Sequence, residues 1–158
     1  MKNKHIQAYM KICDVLGQLS ECRRPNRKFG AVLVDPVANV ILATGYNGYL
    51  RGGTACCGGD TLCVREALHI TSGEKLEIGC VHAEENALLN ASRQGAYTVG
   101  CWLFVNGEPC EICARMMVQT GIRKVWIKKV GYPGKGAEIL KENEVEVEYI
   151  EVGKNEPK

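Results

Sequence analysis

Two short segments, far apart in the chain, carry residue types that bind transition metals. The first is His-Ala-Glu at 82–84, and the second is Pro-Cys-Glu-Ile-Cys at 109–113. Two cysteines spaced Cys-x-x-Cys at a helix start can converge on one ion, and the helix N-terminus favours their thiolate form. With a histidine as third ligand, one coordination position stays open, as in catalytic zinc sites. We therefore predict a catalytic Zn²⁺ bound by His82, Cys110 and Cys113.

Glu84 lies two residues after His82, so the two side chains would not share a helix face and Glu84 is not expected to bind the ion in the same way. Zinc lowers the pKa of a bound water to about 7, and a carboxylate beside that water can move its proton to a leaving group. His-x-Glu followed by Pro-Cys-x-x-Cys is the signature of zinc deaminases. Three alternatives stay open: a redox pair of Cys110 and Cys113, a closed structural zinc, and Glu84 as a carboxylate that only stabilises the helix dipole.

The composition is that of one globular domain, which we place at 1–152, followed by a polar tail at 153–158. Of the 158 residues, 46% are hydrophobic and 24% are charged, which argues against long disorder. The net charge of +2 argues against a duplex-DNA-binding protein. Neither a signal peptide nor an apolar stretch of membrane-spanning length is evident. We expect a cytoplasmic protein without a membrane or stable nucleic-acid partner, in which nine cysteines indicate metal or redox chemistry rather than disulfides.

Hydrophobic periodicity predicts the elements that must position these residues. Helices are expected at 4–19, near 62–69, at 82–92, at 109–120 with Pro109 in the first helical position, and at 136–143. Strands are expected at 30–34, 40–44, 101–105, 125–127 and 145–150. Strands that alternate with helices predict an α/β fold, specifically a three-layer α/β/α sandwich with a five-stranded mixed sheet.

Several segments resemble the deoxycytidylate (dCMP) deaminase family of the zinc-dependent cytidine deaminase superfamily. They are GAVLV at 30–34, GYNG at 45–48, HAEENALLNA at 82–91, PCEICARMM at 109–117, QTGIRKVWI at 119–127 and GYPG at 131–134. Histidine in the first motif is more similar to this family than to free cytidine deaminases, which have cysteine there. The resemblance implies hydrolysis of dCMP to dUMP and ammonia, in the pyrimidine deoxynucleotide metabolism that supplies dTTP. It also implies zinc at His82, Cys110 and Cys113, with Glu84 as the acid–base.

The same resemblance implies three substrate contacts. Asn47 would face the sugar, Arg93 would lie near the phosphate, and Ala83 would contact the substrate. Asn47 could instead be a turn residue beside a glycine, and Arg93 a helix C-terminal cation. The chain also departs from the family, because Asn-Gly-Glu at 106–108 stands where the family often has Thr-x-x before Pro-Cys. This segment borders the pocket, so recognition of the base is left open.

The resemblance further implies a second, structural zinc beside the active site. Its four ligands would be Cys22, Cys56, Cys63 and Cys80. Cys57 is an alternative to Cys56, and His69 is a reserve ligand. A closed tetrahedral site would hold a Gly-rich loop that buries little apolar surface. Cys13 and Cys101 fall on apolar faces and are expected in the core.

Two other functions stay open. One is a tRNA adenosine deaminase, which shares both zinc motifs, although the near-neutral charge balance and the GYNG segment argue against it. The other is a non-catalytic zinc-binding interaction domain, for which the few aromatic residues offer little surface for stacking bases. The resemblance also implies a homo-oligomer and dCTP and dTTP as effectors.

Overall fold

A computed structural model describes residues 1–24, 26–53, 62–71, 79–129 and 134–151. Five helices and five strands lie in these ranges. They are, in chain order, α1 (Asn3–Gly17), β1 (Gly30–Asp35), β2 (Val40–Tyr46), α2 (Val64–Ala67), α3 (Ala83–Arg93), β3 (Trp102–Val105), α4 (Glu111–Gln119), β4 (Lys124–Lys128), α5 (Gly136–Glu142) and β5 (Glu146–Ile150). Each predicted helix and strand is present, with bounds shifted by a few residues. None of the described helices is long and apolar enough to cross a membrane.

The five strands form one mixed sheet in the order β2-β1-β3-β4-β5. β1 pairs antiparallel with both β2 and β3, whereas β3–β4 and β4–β5 are parallel. The turn between β1 and β2 is closed by Asp35, whose Oδ1 accepts hydrogen bonds from the backbone N–H groups of Val37 and Ala38 at 2.7 and 3.1 Å. This sheet confirms the predicted mixed topology.

Side chains of β1 alternate between two apolar layers, as the two-residue period of a strand requires. Val32 and Val34 pack with α1, whereas Ala31 and Leu33 pack with residues of α3 and α4 on the opposite face. All four are fully buried. Because helices cover both faces of the sheet, the fold is the expected three-layer sandwich.

Two element boundaries differ from the prediction. Pro109 does not occupy the first position of a helix, because α4 begins at Glu111 and Cys110 is its N-cap. The Cys110 sulfur accepts a hydrogen bond from the backbone N–H of Cys113 at 3.4 Å, which replaces a missing intrahelical bond. The helix expected near 62–69 is reduced to the four residues of α2. The predicted tail at 153–158 lies outside the described residues.

The start of α3 is positioned by its close packing on β2. A side chain at Gly45 would place its Cβ 2.3 Å from the Ala83 carbonyl oxygen, so only glycine permits this approach. The amides of Asn86 and Asn90 then donate to backbone carbonyls of β2, each at 2.8 Å. These contacts hold the first two turns of α3 against β2.

Candidate metal centre and active-site cavity

Three predicted metal ligands come together where α3 and α4 begin. His82 immediately precedes α3, Cys110 is the N-cap of α4, and Cys113 lies in the first turn of α4. His82 Nδ1 lies 3.4 Å from each of the two sulfur atoms. A tetrahedral zinc with ordinary Zn–N and Zn–S bonds would separate nitrogen and sulfur by about 3.5 Å. The nitrogen and two sulfurs therefore fit one zinc ion. Within the ranges that the structure describes, no other group brings three such ligand atoms within 4.8 Å of one another.

The electrostatics of this trio favour a thiolate. A hydrogen bond from the Cys113 thiol, together with the nearby imidazole, lowers the pKa of Cys110 to about 4. The hydrogen bond to Cys110 in turn raises the pKa of His82 to about 9. The Cys113 thiol, which is bonded to that thiolate and buried, has a raised pKa. Zinc binds cysteine as the thiolate. A zinc ion bound here would therefore displace the protons that His82 and Cys113 share with the Cys110 sulfur.

Two neighbouring carboxylates at the start of α3 have different surroundings. Glu85 caps the helix, since its Oε2 accepts a hydrogen bond from the His82 backbone N–H at 2.8 Å. Glu84 is only 5% exposed and lines the same cavity as His82 and Cys110. Burial raises the pKa of Glu84 to about 7. Glu85 therefore occupies the capping position, while Glu84 is directed to the cavity beside the metal ligands.

Three arginines line the cavity together with Glu84. Arg24 and Arg27 come from the segment before β1, and Arg65 comes from α2. Arg24 forms an ion pair with Glu66 at 4.0 Å, and Arg65 donates to the Thr71 carbonyl at 3.1 Å. None of these three arginines was predicted from the sequence to line the site. The Arg-Arg-Pro-Asn-Arg run at 23–27 was the available signal, but its position relative to the zinc motifs depends on the fold.

The three predicted substrate contacts occupy different environments. Asn47 is buried and lines the cavity, and its side chain accepts from the Phe29 N–H at 2.7 Å and donates to the Arg27 carbonyl at 3.0 Å. Ala83 is fully buried at the first position of α3. Arg93 is exposed in the last turn of α3, about 16 Å along the helix axis from His82. The fold of one chain therefore does not bring Arg93 to the cavity.

Three of the cysteines predicted to hold a second zinc lie together. Cys22 and Cys63 are each 8% exposed and form a small apolar cluster against which Val64 and Cys80 pack. Cys56 and the alternative Cys57 lie outside the described residues. His69, the reserve ligand, has a positive φ of 54° just after α2. Cys13 and Cys101, which were expected in the core, are fully buried.

Comparison with known proteins places these features in a family. Residues 3–129 match the model of the cytidine and deoxycytidylate deaminase zinc-binding region. A deoxycytidylate deaminase of Mycobacterium phage D29 is 32% identical over 74% of this chain and 88% of its own length. Its counterpart in Schizosaccharomyces pombe is 36% identical over 74% of this chain, but the match spans only 34% of that longer protein.

The fold is similar to that of a solved structure of the same class. The dCMP deaminase of cyanophage S-TIM5, in complex with dCMP and dUMP, superposes with a TM-score of 0.73 at 32% identity. The match covers 95% of this chain and 99% of the phage chain. The apo form of the phage protein superposes with a TM-score of 0.75.

Proposed function

Because this chain belongs to the cytidine and deoxycytidylate deaminase family, we propose that it hydrolyses dCMP to dUMP and ammonia. One observation carries the proposal: the buried carboxylate of Glu84, two members of the zinc-fitting trio and three arginines line one cavity. The carboxylate and the metal ligands suit hydrolysis at a ring carbon, whereas the arginines suit a phosphate. A cavity that combines metal ligands, a carboxylate and arginines suits a nucleotide whose base loses an amino group by hydrolysis.

His82, Cys110 and Cys113 would hold the zinc. When bound, zinc lowers the pKa of a water ligand so that hydrolysis can proceed near neutral pH. The Glu84 carboxylate accepts a proton from the attacking water and returns a proton to the departing amino group. Its burial removes competing bulk water, and the capping bond of Glu85 holds the start of α3 in place.

The phosphate is assigned to the arginines of the cavity. Arg24, Arg27 and Arg65 all line the cavity, and guanidinium groups form charge-assisted, often bidentate hydrogen bonds with phosphate oxygens. This assignment replaces the expectation for Arg93, which is distant from the cavity within one chain. A nucleoside lacks the phosphate and would bind more weakly than the nucleotide.

The test compares ammonia release from dCMP and from deoxycytidine by the zinc-loaded protein. We expect kcat/KM for dCMP to exceed that for deoxycytidine at least 100-fold. Arg27→Gln should raise KM for dCMP about tenfold and leave deoxycytidine turnover unchanged.

Glu84→Gln should abolish turnover while one zinc stays at His82, Cys110 and Cys113. Full activity of Glu84→Gln would contradict the mechanism. Ammonia release from an RNA stem-loop but not from dCMP would favour the tRNA deaminase alternative.

A second, structural zinc is part of the proposal. Cys22, Cys63 and Cys80 would supply three ligands, and Cys56 or Cys57 would supply the fourth. Cys22, Cys63 and Cys80 come from three segments that meet in space, as a closed tetrahedral centre needs, and this supports the site. Their three sulfur atoms do not all lie within 4.8 Å of one another, so binding would have to draw them closer together. The cluster borders the cavity, so this zinc would stabilise the segments that present the arginines.

Metal content tests the second site. We expect two zinc ions per chain, and Cys63→Ser should retain only one. Cys13→Ser, at a fully buried cysteine in the opposite layer, is the matched control and should retain two. One zinc per wild-type chain would contradict the structural site and leave the catalytic proposal intact.

Three further expectations stay predictions from the sequence. They are homo-oligomerisation, regulation by effectors such as dCTP and dTTP, and a cytoplasmic location.

A further inference from the structure

Phe29 and Gly107 meet inside the cavity with unusually little space between them. A Cβ built on Gly107 would lie 2.5 Å from Cε1 and 2.7 Å from Cδ1 of the Phe29 ring. Both residues line the cavity with His82 and Glu84. The absence of a side chain at 107 is therefore what leaves room for the aromatic ring.

The backbone around Phe29 is held by two buried asparagines. The Asn47 side chain accepts from the Phe29 N–H at 2.7 Å, and the Asn47 backbone N–H donates to the Phe29 carbonyl at 3.1 Å. Asn106 Oδ1 accepts from the next N–H, that of Gly30, at 2.8 Å. These bonds fix the backbone that carries the ring, and the close contact with Gly107 limits where the ring itself can lie.

We propose that Phe29, seated on Gly107, is the surface on which the base of the substrate stacks. The inference rests on the proposed function, because it requires a nucleotide in this cavity. Phe29 is the one phenyl, phenol or indole ring among the described lining residues. Unpaired bases gain much of their affinity by stacking on such rings. Arg27 lies two residues earlier, so one short segment presents a group for the phosphate and a ring for the base.

Binding of two ligands that differ only in the base tests the inference directly. Isothermal titration calorimetry would measure the Kd of dUMP and the Kd of 2-deoxyribose 5-phosphate for the zinc-loaded protein. Phe29→Leu keeps an apolar side chain but removes the ring, and should raise the Kd of dUMP about tenfold, equivalent to about 1.4 kcal/mol. The Kd of the sugar phosphate should change less than twofold. In turnover, KM for dCMP should rise in parallel while kcat falls less than threefold and zinc content is unchanged.

A double-mutant cycle tests the contact itself. Gly107→Ala should push the ring into the cavity and raise the Kd of dUMP more than tenfold. Phe29→Val vacates that space, so the double variant Phe29→Val/Gly107→Ala should bind dUMP as Phe29→Val does. If the increases in the Kd of dUMP caused by the two single changes instead multiply in the double variant, the two positions act independently. That result would overturn the proposed contact between Phe29 and Gly107.

The outcomes separate this inference from the proposed function. If Phe29→Leu weakens dUMP and the sugar phosphate equally, or weakens neither, stacking is wrong even when dCMP is deaminated. If the wild type binds dUMP in a ring-dependent way but releases no ammonia from dCMP, the deaminase proposal fails and stacking stands. If the wild type does not bind dUMP, the stacking proposal is overturned.

Discussion

Asn106 offers a quantitative test of how the cavity is held together. It follows β3, is 8% exposed, and its Oδ1 accepts from the Gly30 N–H at 2.8 Å. Its Nδ2 donates to Asp14 at 3.2 Å, and the same carboxylate binds Lys128 Nζ at 2.7 and 2.9 Å. One amide thereby connects α1, the start of β1 and the end of β3. We expect Asn106→Ala to be strongly destabilising.

The magnitude follows from the groups left behind. A buried N–H without an acceptor costs about 1–3 kcal/mol, and loss of a hydrogen bond to a charged group costs about 1.5–3 kcal/mol. Asp14 keeps its bonds to Lys128, so only part of the second cost applies. We therefore expect Asn106→Ala to lower the free energy of unfolding by about 3 kcal/mol. For a chain of this size, that corresponds to a fall in Tm of about 6–12 °C.

Urea unfolding followed by circular dichroism, at a fixed excess of zinc, measures this change. Zinc must be held constant because a ligand that binds the folded state alone shifts the apparent stability. Asn143→Ala is the control, since its exposed amide only donates to the Ile139 carbonyl at 2.8 Å. It should change stability by less than about 0.5 kcal/mol. A loss below that value for Asn106→Ala would refute the reasoning.

Three further predictions concern packing, charge and metal. Gly45→Ala should cost about 1–3 kcal/mol in urea unfolding because its Cβ would overlap the Ala83 carbonyl, whereas Gly48→Ala, with its nearest atom 3.9 Å away, should be neutral. Lys124→Met should lower the free energy of unfolding by up to about 1 kcal/mol and reduce its dependence on salt, since the Lys124 amine pairs with two glutamates of β5 at 3.2 and 3.6 Å. An unchanged salt dependence would contradict this. Cys113→Ser should lower zinc content by one ion and lower Tm, and wild-type metal content would contradict the assigned ligand.

The sequence by itself predicted the elements and the metal-binding residue types. Strand periodicity and helix-terminus chemistry operate over a few neighbouring residues, so they can be read locally. The strands, the mixed sheet and the start of α3 near His82 were confirmed on this basis. Pro109 shows the limit of local reasoning. Cys110 could equally have been a helical residue. In the structure its backbone is extended, with φ −77° and ψ 168°, and its sulfur accepts from the Cys113 N–H, so it is the N-cap.

Tertiary structure decided what surrounds those residues. The His-x-Glu motif indicated Glu84, but only the packing of α3 on β2 buries this carboxylate beside the metal ligands, while the adjacent Glu85 caps the helix. The contact between Phe29 and Gly107 joins positions nearly 80 residues apart, and it exists because β1 lies next to β3 in the sheet. Arg27 reaches the cavity for the same reason. Strand order is set by burial of the whole chain, which no short window of sequence contains.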